Sequence, residues 1–355
     1  MKKPLFRLRL LCLFLITGFA NPTIAQQAAG GKAVFNFLNL QPSARASALG
    51  GWATGHRDVD LGLAWQNPAL LDSLFNNQLS LSFSNHFSDI KHGLVQYAKF
   101  LNPRWGTVSA GLQFVQYGTF TQTNEQNEVL GTFSANELNL QAGWGKTLNA
   151  HWTVGANLKL IYSGFQAFHS TGLAADLAVT WRDSAQQINV TGIIRNAGRQ
   201  LTAYQNELEP LPLDIQLAVS KKLKHLPFRY GIVLHSLNRW NTAYYDPTDR
   251  VFRGQVQLLG SNEPEPVAAP NLAEEVLNHV VLNGEILLGK ALTMRLGYNH
   301  QRRQELTIPN RAALSGFSWG FGIKTKKFRL DYGHALFTLA GSTNTFSLGI
   351  PLDAY

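Results

Sequence analysis

From Gln78 to its end the chain alternates apolar and polar residues, and that pattern leaves few folds open. Leu79, Leu81 and Phe83 are separated by Ser80 and Ser82, and Leu138, Leu140, Ala142 and Trp144 by Asn139, Gln141 and Gly143. Leu213, Ile215, Leu217 and Val219 are separated by Asp214, Gln216 and Ala218. Period two is the strand period, with one greasy and one polar face. About fourteen such runs follow one another between residues 78 and 351, and bacterial outer-membrane barrels have an even strand number. Past the first twenty residues no stretch approaches the roughly 18 consecutive apolar residues of a membrane helix. A membrane-spanning form of this chain must therefore be a closed barrel.

The connections point the same way. Those after even-numbered runs are short: Asn102-Pro103-Arg104, the turn around Asn149, Asp183 to Gln186, the Lys224-His225 region, Ala291 and Lys326. Those after odd-numbered runs are mostly longer, including 118–136, 197–211 and 239–278. Long loops on one side and tight turns on the other is the asymmetry of outer-membrane barrels, and it predicts both mature termini on the periplasmic side. Trp105, Trp144, Trp152, Tyr162 and Trp181 fall near strand ends, where interfacial girdles belong. Glu137, Asp176, Asp214, Glu285 and Asp331 fall on the polar phase, which makes them candidate lumen carboxylates. A soluble β-sandwich also alternates, but it would hide its aliphatic face between sheets and would need no aromatic girdle.

Only 15% of residues are charged. Lys2, Lys3, Arg7 and Arg9 precede an apolar run from Leu10 to Ala20, and Thr23-Ile24-Ala25 offers small residues for cleavage, so residues 1–25 read as a signal peptide. Removing those four basic residues with no acid brings the formal charge from +9 to +5. Cys12, the only cysteine, lies inside that apolar run, so the mature chain has no thiol chemistry. The remaining basic surplus forms no stripe, which argues against nucleic acid and suits contact with outer-membrane lipid and lipopolysaccharide.

Residues 26–77 break the alternation, and the barrel is expected over 78–355. Pro42 suits the first helical position, Ser43 to Leu49 are tolerable helix residues, and Gly50 or Gly51 can take the left-handed conformation that stops a helix. Asn67-Pro68 repeats the signal before Ala69-Leu70-Leu71. Helices this short are unstable alone, so the segment reads as a compact plug inside the wall. A cation carried on such a plug must be paired, and Arg45 is expected to meet at least one of the five lumen carboxylates.

Other motifs carry little chemistry. Gly316-Phe317-Ser318-Trp319-Gly320 has the G-x-S-x-G spacing but sits in an alternating run, not at a strand-to-helix turn. His86 and His92 lack a third ligand and read as a solvated loop, and Asp58-Val59-Asp60 reads as turn chemistry. There is no P-loop. The chain is expected to be non-enzymatic, without metal or cofactor.

At FLNLQPSARASALGG and NPALL the sequence resembles the PorV/PorQ group of type IX secretion proteins of the Bacteroidetes, and GGKAVFNFLNL at Gly30 brings it nearer the PorQ-like members. The residues that carry the resemblance are Phe37, Leu38, Asn39, Ser43, Ala44, Arg45, Leu49, Gly50, Gly51, Asn67, Pro68 and Ala69. It implies an all-β, FadL-like transmembrane barrel of about fourteen antiparallel strands with an N-terminal plug. It also implies a place in the outer membrane, supporting a surface attachment complex with PorU, PorV and PorZ as partners. The alternative within the same fold is a FadL-like channel for hydrophobic small molecules, which needs a greasy pocket near the plug and a gap in the wall. The connection 239–278 matches no family feature. Its Trp240, Tyr244, Tyr245 and Phe252 are expected to dock a surface partner, with a short helix at Asn271 to Val276.

Overall fold

The computed structural model describes residues 33–86, 90–240, 272–289, 291–306, 314–337 and 341–354. The expected signal peptide lies outside the described residues, as do Tyr244, Tyr245 and Phe252.

Fourteen antiparallel strands close into one barrel. They are β1 Gln78–Asn85, β2 Lys91–Asn102, β3 Gly106–Thr123, β4 Val129–Thr147, β5 Trp152–Phe165, β6 Phe168–Asp183 and β7 Ile188–Thr202, then β8 Asp214–Lys222, β9 Phe228–Leu234, β10 Val280–Leu288, β11 Leu292–Asn299, β12 Phe317–Lys324, β13 Arg329–Leu336 and β14 Ser342–Pro351. Each pairs with its sequence neighbours, and β14 returns to β1 in unbroken register from Gln78↔Pro351 to Asn85↔Asn344. Closure leaves no edge, so every ladder group can be satisfied without water.

The wall is inside out relative to a soluble sheet. On β4, Leu138, Leu140 and Trp144 are 38%, 52% and 38% exposed, while Glu137, Asn139 and Gln141 are 4%, 1% and 2% exposed. Apolar faces point outward and polar faces inward, the arrangement that suits a lipid-facing wall. Trp105, Trp144, Trp152 and Trp181 gather at the tight-turn end, where the Trp144 indole donates to the Trp105 carbonyl at 2.7 Å and Trp152 pairs with Trp181 across β5 and β6.

The expected strand ends need correction in three places. The connection 118–136 is mostly strand, because β3 and β4 continue upward as a paired ribbon to a turn at Asn124, where Asn124 Oδ1 accepts from the Gln126 and Glu128 amides. β5 and β6 meet through only Gln166 and Ala167, with Gln166 at φ +55, so not every connection on that side is long. β11 stops at Asn299, where the Asn299 side chain accepts from the Arg302 amide and starts a helix, His300–Leu306.

The segment before β1 holds the short helices α1 (Ala44–Ala48) and α2 (Leu61–Ala64), with further single turns at Asn36–Asn39, Pro68–Leu70 and Ser73–Phe75. Pro42 precedes the N-cap, Ser43, and does not open α1. Gly50 and Gly51 take φ +84 and +96 and end it, as expected of residues without a Cβ. Asn67 accepts from the Ala69 amide at 3.0 Å and Asp60 from the Gly62 amide at 3.1 Å, which caps both later turns. Two loop helices lie among the described residues, α3 (Leu272–Asn278), where a short helix is expected, and α4 (His300–Leu306).

Candidate functional site in the barrel lumen

Apart from the exposed Asn36, Ser73 and Leu74, residues 33–77 are buried or half-buried against the inward faces of the strands. Their course begins on the long-connection side, where the Val34 amide donates to the Pro210 carbonyl, and Phe35, Phe37 and Leu38 pack with Val115, Ile161, Ala174 and Leu211. It ends on the tight-turn side, where Asn77 enters β1 and its carbonyl accepts from the Leu352 amide. The first described residue therefore lies at the opposite end of the lumen from the last turn, Leu352–Ala354, and the expected mature N-terminus lies outside the described residues.

Close packing explains the small residues of the ARASA helix. A Cβ on Gly320 of β12 would lie 2.6 Å from Ala48 Cβ, and one on Gly333 of β13 would lie 2.2 Å from the Ala44 carbonyl oxygen. Larger residues on either surface would separate them. Polar contacts then fix the register: the Ala44 amide donates to Ser347 Oγ at 2.9 Å, the Gly50 amide to Ser318 Oγ at 2.9 Å, and Asn299 Nδ2 to the Gly50 carbonyl at 3.2 Å. The Pro68 turn meets the opposite wall, where a Cβ on Gly155 of β5 would lie 2.3 Å from the Pro68 carbonyl carbon. Leu49 is fully buried in the apolar centre of the segment, and Ser43 is buried beside Gly62. Gln66 donates to the Gly51 carbonyl at 3.1 Å, Asn67 to the Thr54 carbonyl at 2.8 Å, and Gln41 to the Asn39 carbonyl at 2.8 Å.

Arg45 is 1% exposed, and its guanidinium donates to both oxygens of Glu285 at 2.8 Å, with Asp58 and Asp60 each at 3.3 Å. Glu285 on β10 stands directly between its register partners Arg229 on β9 and Arg295 on β11. It accepts from them at 2.8 and 3.1 Å, so one carboxylate holds three guanidinium groups. Arg295 reaches Asp331 at 2.7 Å; Arg329 completes the circuit with Asp331 at 2.6 Å and Asp60 at 3.3 Å. Four guanidinium groups thus face four carboxylates, Asp58, Asp60, Glu285 and Asp331, so this circuit is neutral, and the exposed Lys324 reaches Asp58 from its edge at 3.9 Å. Neutrality and multiple hydrogen bonds are the conditions under which buried charge is tolerated.

The other lumen carboxylates lie apart from Arg45. Asp176 accepts from Lys159 at 2.8 Å, Asn157 at 2.9 Å and the Asn196 amide at 2.8 Å. Asp214 accepts from the Gln216 amide group and from the Ser236 amide at 2.7 Å, and Glu137 from Ser163 at 2.8 Å and from Tyr117. Asp58 and Asp60 do the expected turn chemistry, accepting from the Val59 and Gly62 amides, and also belong to the ionic circuit; sequence reasoning misses Arg229, Arg295 and Arg329 as its other half. Their signal is present in the strands, where all three sit on the polar phase beside tyrosine, leucine or phenylalanine.

One further expectation changes. His92 is 1% exposed and its ring centroid lies 5.4 Å from that of His86, so the pair is not a solvated loop. Trp240 stacks on His279 at 5.3 Å and its indole donates to Glu275 at 3.1 Å, which ties it to its own connection. Phe317, Trp319 and Phe321 of the G-x-S-x-G run face outward on β12, and Ser318 donates to the Ala48 carbonyl at 3.1 Å.

The barrel has the fold of known outer-membrane transporters. It matches the Pseudomonas putida toluene transporter TodX with a TM-score of 0.52 at 14% identity, over 86% of this chain and 95% of that one. It matches the CymD monoaromatic hydrocarbon channel at 0.51 and 11% identity, over 89% and 97%. A Pseudomonas aeruginosa FadL homologue aligns at 0.46 and 10% identity, over 86% and 97%. At these identities the likeness shows the fold alone. No family model matches the chain, and no curated protein matches it.

Proposed function

We propose that this chain is a non-enzymatic outer-membrane barrel whose lumen is sealed by its own N-terminal plug, and whose long-connection side supports a protein assembly at the cell surface. The observation that carries the reading is the neutral circuit around Glu285, which holds Arg45 of the plug, is itself held by Arg229 and Arg295 of the flanking strands, and fills the lumen with paired charge. A conduit for hydrophobic solutes is poorly served by such a lining. The resemblance of Phe37–Gly51 and Asn67–Ala69 to the PorV/PorQ group makes the assembly the type IX attachment complex, with PorU, PorV and PorZ as the partners that resemblance implies.

A second reading is favoured by the fold shared with TodX and CymD, named as a toluene transporter and a monoaromatic hydrocarbon channel. In it the plug shifts to let hydrophobic small molecules pass. Affinity purification from gently solubilised outer membranes separates the two. Recovery of secretion partners supports the platform, whereas a bound hydrocarbon with no protein partner supports the channel. The membrane barrel common to both predicts heat-modifiable migration and a β-type circular dichroism spectrum, and a mainly helical spectrum would sink both.

A further inference from the structure

A cleft of about 590 Å³ opens on the long-connection side, away from the ionic circuit, between the β5–β6 turn and the β7–β8 connection. Phe165 and Phe168, which bracket that two-residue turn, form one wall and Tyr204 another; Glu207 and Glu209 stand at the rim. The aromatic wall is fixed from behind. Tyr204 donates its hydroxyl to Ser163 Oγ, Ser163 donates to Glu137, and Tyr117 donates to the second Glu137 oxygen. Phe165 is held between Tyr204 and Tyr117, at ring-centroid distances of 5.8 and 5.7 Å. The connection itself is anchored at two adjacent residues, by the Glu209 amide donating to Gln200 Oε1 at 2.7 Å and by the Val34 amide on the Pro210 carbonyl.

The Tyr204 hydroxyl is thus committed to the wall. Glu207 and Glu209 are exposed, and no described cation lies within ion-pairing distance of either. Ring faces and carboxylates attract the same sign of charge. A neutral hydrophobe would fill the rings and leave the carboxylates unanswered, and an anion would be repelled by both. We propose that this cleft binds an organic cation, an ammonium or guanidinium group on an apolar stem, carried either by a free amine or by a lysine or arginine side chain. The stem lies against Phe165 and Phe168, and the charged head sits over Tyr204 between Glu207 and Glu209. This site is independent of whether the barrel is a platform or a channel.

The test uses the full chain in lipid nanodiscs, titrated with 2-phenylethylammonium and with its neutral counterpart 2-phenylethanol, and followed by calorimetry and ligand-observed NMR. The ammonium should bind saturably and the alcohol about tenfold more weakly, since one cation–π contact with a carboxylate beside it is worth about 1–2 kcal/mol. The double variant Glu207→Gln, Glu209→Gln should erase the preference while leaving heat-modifiable migration intact, because both side chains are exposed on a connection. Phe168→Ala should weaken both ligands. A blocked Gly-Lys-Gly peptide supplies the second arm: tighter binding than the amine supports the site with a protein side chain as its ligand, and weaker binding supports it with a free amine. Equal affinity for ammonium and alcohol, no binding of either, or a preference that survives the double variant would overturn the proposal.

Discussion

The two halves of the wall handle the inward segment 33–77, the proposed plug, differently. The half from β9 to β14 is built of strands of 7 to 10 residues and carries the neutral circuit that grips Arg45. The half from β3 to β7 is built of strands of 14 to 19 residues, and its own buried ion pair, Lys159 with Asp176, lies entirely within the wall. Toward the plug this half offers single donors with no ion pair: Gln141 to the Trp65 carbonyl at 3.2 Å, Thr107 to the Asp72 carbonyl at 2.7 Å, Gln113 to the Phe37 carbonyl at 3.4 Å, and Arg195 of β7, which donates to the Leu38 carbonyl at 3.4 Å and lies 4.5 Å over the Trp52 ring. A tilted strand of about 9–11 residues already crosses a membrane. The excess in β3 and β4, about eight residues or 25 Å, therefore stands beyond the lipid. One half of the wall grips the plug through paired charge, and the other meets it through single donors and apolar packing while carrying the overhang.

That contrast can be broken most forcefully at its centre. Glu285→Ala leaves Arg45, Arg229 and Arg295 buried with one fewer carboxylate, and losing one side of such a pair costs about 3–5 kcal/mol. The expected outcome is rapid protease cleavage within 33–77 and a large fall in the thermal midpoint; unchanged protection would show that the circuit does not hold the plug. Gly333→Leu tests the steric side of the same grip. Its Cβ would collide with the Ala44 carbonyl oxygen, and overpacking of this kind costs about 1–3 kcal/mol, read as earlier cleavage of the plug in a barrel that still shows heat-modifiable migration. On the other half, Gln141→Ala removes one neutral hydrogen bond worth about 1 kcal/mol, and plug protection should fall only slightly. If this variant frees the plug as readily as Glu285→Ala, the two halves are equivalent and the contrast fails. Replacing 120–133 with an Asn-Gly turn removes the overhanging β3–β4 ribbon and should have the smallest effect on stability. Its thermal midpoint should stay within experimental scatter, while co-purification with surface partners is lost if the overhang is where they dock.

Much of this was legible in one dimension because a barrel strand has only two faces. Fourteen alternating runs, their inward carboxylates and the short helix at 272–278 could all be read from local pattern. Strand ends were less legible where pairing continued into segments such as 118–136, since Thr119 to Thr123 show no clean alternation and are held by partners on β4. The left-handed glycines after α1 and the Asn67 cap were readable because each acts within a few residues.

Alternation by itself determined that the chain makes a wall with a polar interior, and that a cation in the non-alternating segment would need an inward carboxylate. It could not choose among five. Arg45 and Glu285 are 240 positions apart, and only the closed register brings Arg229, Glu285 and Arg295 into one row beneath the α1 helix. The same closure decides which glycines lie under Ala44 and Ala48, and it makes the turn residues Asp58 and Asp60 half of a neutral circuit as well. Local sequence sets which face a side chain takes; its partner across the lumen depends on strand order, stagger and closure, which belong to the whole barrel.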